Sequence, residues 1–315
     1  MTGGAVSTRA QRPRRRARVL FNPIAGAAKQ ASAGDRAVAA RRARKLEAVR
    51  RRLAEGGLEV QVAATDSAEH AAALALEAAQ AGEEVVAFGG DGMVRIAAAA
   101  ICGMDAVLAI LPGGRGNDFA AALGIPRDPL AACEVVVTGR VRSVDAGQVD
   151  GRLFVGIASI GLESEVTPIA NEAPRIGGRA VYLAATVYGL ARWRPARFEL
   201  QADDETYAFT GYMAAAANSG RFGGGMRLAP EARLDDGLLD VVMIEHISKP
   251  RFLRATPKVF SGTHGGEPNV HMRKANRVRL DADRPFAVYA DGDEVARTPA
   301  VVTTLPRAIN VRTPG

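Results

Sequence analysis

The chain has 315 residues, enough for two ordinary domains with substantial cores, and its composition, 48% hydrophobic and 24% charged, is that of a globular protein. No apolar run approaches the ~20 residues needed to cross a bilayer. The four histidines are too scattered for a zinc site, and Cys102 and Cys133 sit in apolar patterns expected to bury them as reduced thiols.

The formal charge of +7 is uneven: Arg9, Arg12, Arg14, Arg15, Arg16 and Arg18 fall in the first 18 residues without an acid, and the remainder is nearly neutral. Residues 1–17 lack the apolar segment of a secretory signal and read as a disordered basic tail in the cytoplasm. From about residue 18 the pattern alternates: strand RVLFNP, helix 35–55, strand LEVQVAAT, helix 67–81, strand EEVVAFG, helix 93–102, strand AVLAILP, then helices at 117–123 and 129–138. Such alternation predicts a parallel sheet covered by helices. In the first helix Leu46, Val49 and Leu53 form an apolar stripe, and the bases around it read as a solvated face or one drawn to an anionic bilayer. Neither aromatic interleaving nor a helix-turn-helix pattern speaks for nucleic acid.

Beyond residue 140 the texture changes to short alternating runs at 141–161, 197–220, 238–248 and 277–293, expected as antiparallel strands. A helix is expected between them at 177–193, with Tyr182, Thr186 and Leu190 as its buried stripe. The expected division is a nucleotide-binding α/β domain over 18–140 and a β-rich domain over 141–300.

Two stretches carry the chemistry. In EEVVAFGGDGMVRI and AVLAILPGGRGNDFA an apolar strand runs into a glycine-rich loop and then a helix start. Strands joined by crossover helices run parallel, so both loops emerge on the sheet edge where doubly wound folds bind ligands. Gly89, Gly90 and Gly92, with Gly113, Gly114 and Gly116, let backbone N–H groups approach a polyphosphate; Asn22, in NPIAG, follows the first strand to the same edge. Tight turns also demand glycine, but two such loops in successive units favour a ligand. Asp91 would repel a naked triphosphate, so it calls for a divalent cation beside it, or else it is a turn or N-cap aspartate.

At this point the chain resembles the bacterial diacylglycerol kinase and sphingosine kinase-like lipid kinases over nearly its whole length. The likeness rests on ordered blocks: NPIAG at 22–26, GGDG at 89–92, PGGRGNDFAAALGIP at 112–126, VGIASIGLESEV at 155–166, GGGMRLAPEARLDDGLLDV at 223–241 and YADGDEV at 289–295. The resemblance implies two domains, an α/β domain for ATP and a β-sandwich for the lipid, with the final strand (301–315) returning to the first.

It further implies an ATP site lined by Asn22, Gly89, Gly90, Asp91, Gly92, Gly114, Arg115, Gly116, Asn117 and Asp118, and a base for the acceptor hydroxyl at Asp291, with Asp293 where a glutamate is usual. Asp91 joins these two as a catalytic candidate. A structural Mg2+ would be held by the Asp236 side chain and the carbonyls of Arg233 and Leu238. Read from the residues alone, Asp291 is equally a hairpin aspartate, and 233–238 an acidic turn. Two departures stand out: Met93 replaces a threonine that would donate to phosphate, and Arg115 replaces another, with a guanidinium able to grip phosphate itself.

The expectation is therefore an ATP- and Mg2+-dependent kinase of a membrane lipid hydroxyl, diacylglycerol foremost, yielding phosphatidic acid. Its acyl chains would enter an apolar cleft of the second domain while the basic tail and first helix hold the enzyme at the inner face of the membrane. The alternatives are a kinase of a soluble acceptor, as NAD kinases are, and a nucleotide- or lipid-binding regulator without turnover, motivated by Met93. A homo-oligomer paired through an exposed β-edge is also open.

Overall fold

The computed structural model describes residues 14–23, 33–172 and 179–315. The expected tail lies outside them up to residue 13, as do residues 24–26 of NPIAG.

The first domain runs β1 (Arg16–Phe21), α1 (Ala33–Glu55), β2 (Glu59–Ala64), α2 (Ala68–Gln80), β3 (Glu84–Gly89), α3 (Asp91–Ala100), β4 (Val107–Pro112), α4 (Asp118–Ala122) and α5 (Pro129–Thr138). The strands pair in parallel in the order β2, β1, β3, β4. Helices cover both faces, so β3 and β4 are near-continuous apolar runs, with Val85, Val86, Ala87, Leu108, Ala109 and Leu111 all but inaccessible. Local chemistry sets the helix ends: the Ser67 side chain accepts from His70 N at 3.1 Å to begin α2, and Asp128, followed by Pro129, caps α5 through Ala131 N at 3.1 Å. As expected, Val49 and Leu53 of α1 are buried, with Leu46 packed beside them.

The second domain continues with β5 (Arg140–Val149), β6 (Arg152–Phe154), β7 (Ile157–Gly161), α6 (Leu162–Glu172), α7 (Arg179–Arg192), β8 (Ala196–Ala202), β9 (Glu205–Ala217), β10 (Leu239–Glu245), α8 (Lys249–Ser261), β11 (Val270–Ala275), β12 (Arg277–Ala282), β13 (Ala287–Ala290), β14 (Asp293–Arg297) and β15 (Ala300–Thr313). Its pairings are antiparallel and enclose a separate core; β8 is typical, burying Ala196, Phe198, Leu200 and Ala202 while the residues between them face water. Trp193, Phe198, Tyr212 and Phe286 form the aromatic centre of that core.

Two long strands join the halves. β15 pairs with β12 at its start and lies parallel to β4 at its end, through Asn310↔Val107 and Val311↔Leu108. β5 runs antiparallel to it with a bulge between Leu305 and Ile309, and β15 passes from one core to the other between Val302 and Leu305. Sequence periodicity anticipates neither α6 nor α8: Pro168 interrupts the first, and the second buries no side chain, so neither presents a clean stripe. In α7 the expected stripe faces inward at Leu190 and is half-buried at Thr186. Ala185 and Leu190 are buried, whereas Leu183, Val187 and Tyr188 are exposed; the side chain of Tyr182 lies outside the described residues.

Candidate active site

Because β3 and β4 are parallel neighbours, their glycine loops leave the sheet side by side. Gly113 N donates to Gly89 O at 2.7 Å, and the loops cross so closely that a Cβ on Gly114 would overlap the Cα of Gly90. Asn117, in the left-handed region at φ 57°, folds back on Gly114: its Oδ1 accepts from Gly114 N and its Nδ2 donates to Gly114 O, both at 2.9 Å.

Asp91 is the first residue of α3, and its carboxylate crosses to the neighbouring loop. Oδ2 accepts from Asn117 N at 2.7 Å and Oδ1 from Phe119 N at 3.2 Å, which caps the start of α4. Of the two sequence readings the capping role is realised, across two loops rather than within one. Burial nevertheless raises the Asp91 pKa, because desolvation outweighs these bonds.

Two cavities meet here. The larger, about 780 Å³, is lined by Asn22, Gly89, Gly90, Gly92, Met93 and Gly114, with Arg41, Arg42 and Lys45 of α1 opposite. The α1 bases therefore face the glycine loops, a placement that neither sequence reading of them had foreseen. The smaller cavity, about 290 Å³, lies between the domains and is lined on the first side by Asp91, Gly116, Asp118 and Phe119, and on the second by Val155, Ser159, Glu163, Arg221, Tyr289 and Asp291. Gly92 and Arg115 line both.

Asp291 enters from the hairpin between β13 and β14, at φ 51°. Its oxygens accept from Val155 N at 2.8 Å and Gly156 N at 2.7 Å, and a Cβ at Gly156 would collide with Oδ1, so glycine is required there. Burial, followed by the charge of Asp91, pushes its pKa up to about 6 despite these bonds. Asp118 behaves alike: burial and then Asp91 push it to about 6, while Oδ2 accepts from Gly224 N at 2.8 Å, tying the first domain to a glycine-rich loop of the second.

Asp293 does not join them. It is half exposed on the rim, in an ion pair with Arg95 of α3, and does not line either cavity. The candidate catalytic set thus divides into Asp91 and Asp291 within the cleft and Asp293 as a charge link between domains.

The residues expected to hold a structural cation also depart from expectation. The Lys274 ammonium lies 2.8 Å from Asp236 Oδ2 and 3.2 Å from Asp240 Oδ2, while Asp236 Oδ1 accepts from Leu238 N at 3.2 Å. The turn is further anchored by buried Asp145, which accepts from Gly237 N at 2.7 Å and Arg307 N at 2.8 Å. A divalent ion on Asp236 would sit against an ammonium, so Asp236 and the carbonyls of Arg233 and Leu238 do not fit a resident Mg2+. Among the described residues no group of three or more His, Cys, Asp or Glu is placed to hold a metal.

Several cavity residues escaped sequence reasoning. Glu163, in the first turn of α6, accepts from Thr167 Oγ1 at 2.6 Å and has its pKa raised by burial; Arg221 belongs to the loop that reaches Asp118. Only the acidic start of α6, Glu163 and Glu165 after a glycine, offered a signal.

Comparison with known proteins identifies the family. Residues 16–149 match the family model described as the diacylglycerol kinase catalytic domain, and residues 156–313 match the YegS C-terminal NAD kinase beta sandwich-like domain. A diacylglycerol kinase of Mycobacterium tuberculosis is 32% identical over 303 residues, covering 94% of each chain. The Bacillus subtilis diacylglycerol kinase is 29% identical over 305 residues, covering 95% of this chain and 97% of its own. A probable YegS-like lipid kinase of Pseudomonas aeruginosa is 32% identical over 265 residues, covering 82% and 86%. In fold, a crystal structure of a diacylglycerol kinase-like protein from Bacillus anthracis superposes with a TM-score of 0.77 at 21% identity, covering 95% of this chain and 97% of that one. The chain belongs to the diacylglycerol kinase and YegS-like lipid kinase family, and is a phosphotransferase with an alcohol group as acceptor.

Proposed function

We propose that the protein transfers the γ-phosphate of ATP to the free hydroxyl of diacylglycerol, forming phosphatidic acid. The observation that carries this reading is the meeting of the two cavities at Gly92 and Arg115, one lined by glycines and bases, the other by carboxylates. A triphosphate in the larger cavity would lie against the backbone of both loops and the charges of Arg41, Arg42 and Lys45. Its terminal phosphoryl group would reach Arg115, whose guanidinium suits bidentate contact with phosphate oxygens.

The acceptor hydroxyl enters from the smaller cavity. Asp291, with a pKa near the working range, takes its proton as the acceptor oxygen bonds to phosphorus and the bond to the β-phosphate oxygen breaks, releasing ADP. Asp91 holds the loops in register and raises the basicity of Asp291 through its charge. A divalent cation arriving with the nucleotide would relieve the crowding of Asp91, Asp118 and Asp291 and neutralise developing charge. Met93 lines the larger cavity without supplying a hydroxyl, a gap that the nearby Arg115 offsets.

At about 290 Å³ the acceptor cavity is at the small end of ligand sites, suited to a glycerol head rather than two acyl chains. The acyl chains of the acceptor would extend beyond it. The reading is tested with purified protein, labelled ATP and mixed micelles carrying diacylglycerol, ceramide, a sphingoid base or a monoacylglycerol, beside soluble acceptors without detergent. Label in diacylglycerol is the expected result. Label only in a soluble acceptor, or in none while ATP binds, contradicts it.

A further inference from the structure

A membrane-lipid acceptor requires the acceptor cavity to meet the bilayer, and the elements beside that cavity indicate how. α6 contributes Glu163 and Ala170 to the cavity and packs on α7, where a Cβ added at Gly189 would lie 3.0 Å from Val166 Cγ2. On the opposite side of α7, among the described residues, Leu183, Val187 and Tyr188 are 48%, 45% and 49% exposed. Arg192 stacks over the Tyr188 ring at 3.8 Å. α8 is joined to α7 by Lys249 Nζ, which donates to Ala191 O at 2.9 Å, and adds Leu253, 38% exposed. The two helices together carry Arg179, Arg192, Lys249, Arg251, Arg254 and Lys258 and no acidic residue. Arg251 and Lys258 pair with Glu267, while Arg192 and Arg254 are exposed.

We propose that the outward faces of α7 and α8 form the surface on which the protein rests on an anionic bilayer, bringing the acceptor cavity to the lipid. The proposal rests on the lipid kinase reading above and names the surface that serves it. Large apolar side chains interleaved with bases, with no acid, are the chemistry of helices lying in a membrane interface: the apolar groups enter the acyl boundary and the bases meet anionic headgroups. The same charge argues against a second copy of the chain, since two such faces would repel. No helix among the described residues is long and apolar enough to cross a membrane, so the contact is one of lying on, not spanning.

The test uses the full chain and sedimentation with phosphatidylcholine vesicles, with and without phosphatidylglycerol. The doubly substituted protein Leu183→Gln, Val187→Gln should lose at least tenfold in vesicle affinity. Arg192→Glu with Arg254→Glu should abolish the preference for phosphatidylglycerol. Both should phosphorylate a short-chain, monomerically dissolved diacylglycerol at the wild-type rate. Undiminished vesicle binding by both variants while that soluble substrate is turned over overturns the proposal and leaves the kinase reading standing. Loss of binding in the variants, with no acceptor phosphorylated by any form, sinks the kinase reading and supports the surface. A self-association of the wild type that the apolar variant loses, without vesicle binding, assigns the face to a second copy and overturns the proposal.

Discussion

Asp291 and Asp236 both stand in tight turns of the second domain, yet their surroundings give them opposite work. Asp291 is held by two backbone N–H groups and faces a cavity that also holds Asp91 and Asp118, so its charge is costly and its pKa rises to about 6. Asp236 lies beside Lys274 and carries a neutralised charge at the bulge of β15. The contrast teaches that a carboxylate in a glycine turn is a candidate site where no ammonium or guanidinium is bonded to it, as at Asp291. An ammonium at 2.8 Å makes the second turn a structural joint.

Four changes sharpen that contrast, in descending order of effect. Gly114→Ala puts a Cβ into Gly90 and forces the two loops apart; ATP affinity should fall at least tenfold and stability by about 2–3 kcal/mol, measured by calorimetric titration and urea unfolding. Lys274→Met leaves buried Asp240 without its ammonium and should cost about 1–2 kcal/mol, discounted for the partial exposure of the lysine; unchanged urea midpoints would show that the turn does not depend on it.

Asp118→Asn acts with the opposite sign. A carboxylate whose folded pKa is raised contributes stability that is complete below its ordinary pKa and lost as pH rises through about 6. The ligand-free protein should therefore lose stability between pH 4 and 6 on this account. The asparagine variant should be more stable than wild type at pH 8 by roughly 1–2 kcal/mol, with no gain at pH 4. The smallest effect is a null one: chelation of divalent ions should leave the melting temperature of the ligand-free protein unchanged, because Lys274 already supplies the positive charge. A clear drop would restore a resident metal at Asp236.

Much of the first domain is legible in the sequence because its signals are local. Apolar runs of β3 and β4 and the Leu46, Val49, Leu53 stripe each involve residues within a few positions of one another. The glycine loops were legible for the same reason. What escaped depends on distant partners: the bond of Asp91 to Phe119 N, the capture of Asp293 by Arg95, and the placement of Lys274 against Asp236 all join groups that only the tertiary fold brings together. α8 escaped because it lies on the surface without burying a side chain, and periodicity reports burial. The bases of α1 were visible as a cluster; their facing the larger cavity was not, since a helix's rotation about the sheet is set by the packing of its opposite side.

The central claim is that Asp291 takes the acceptor proton in a cleft whose nucleotide side is built independently of it. The most direct measurement is a rapid-quench single turnover of Asp291→Asn with saturating ATP and diacylglycerol, alongside ATP binding at equilibrium. The account predicts ATP affinity within about twofold of wild type and phosphoryl transfer slowed by ~10²–10⁴. In the wild type, transfer should fall as pH drops through about 6. Transfer at the wild-type rate in the asparagine variant would contradict it.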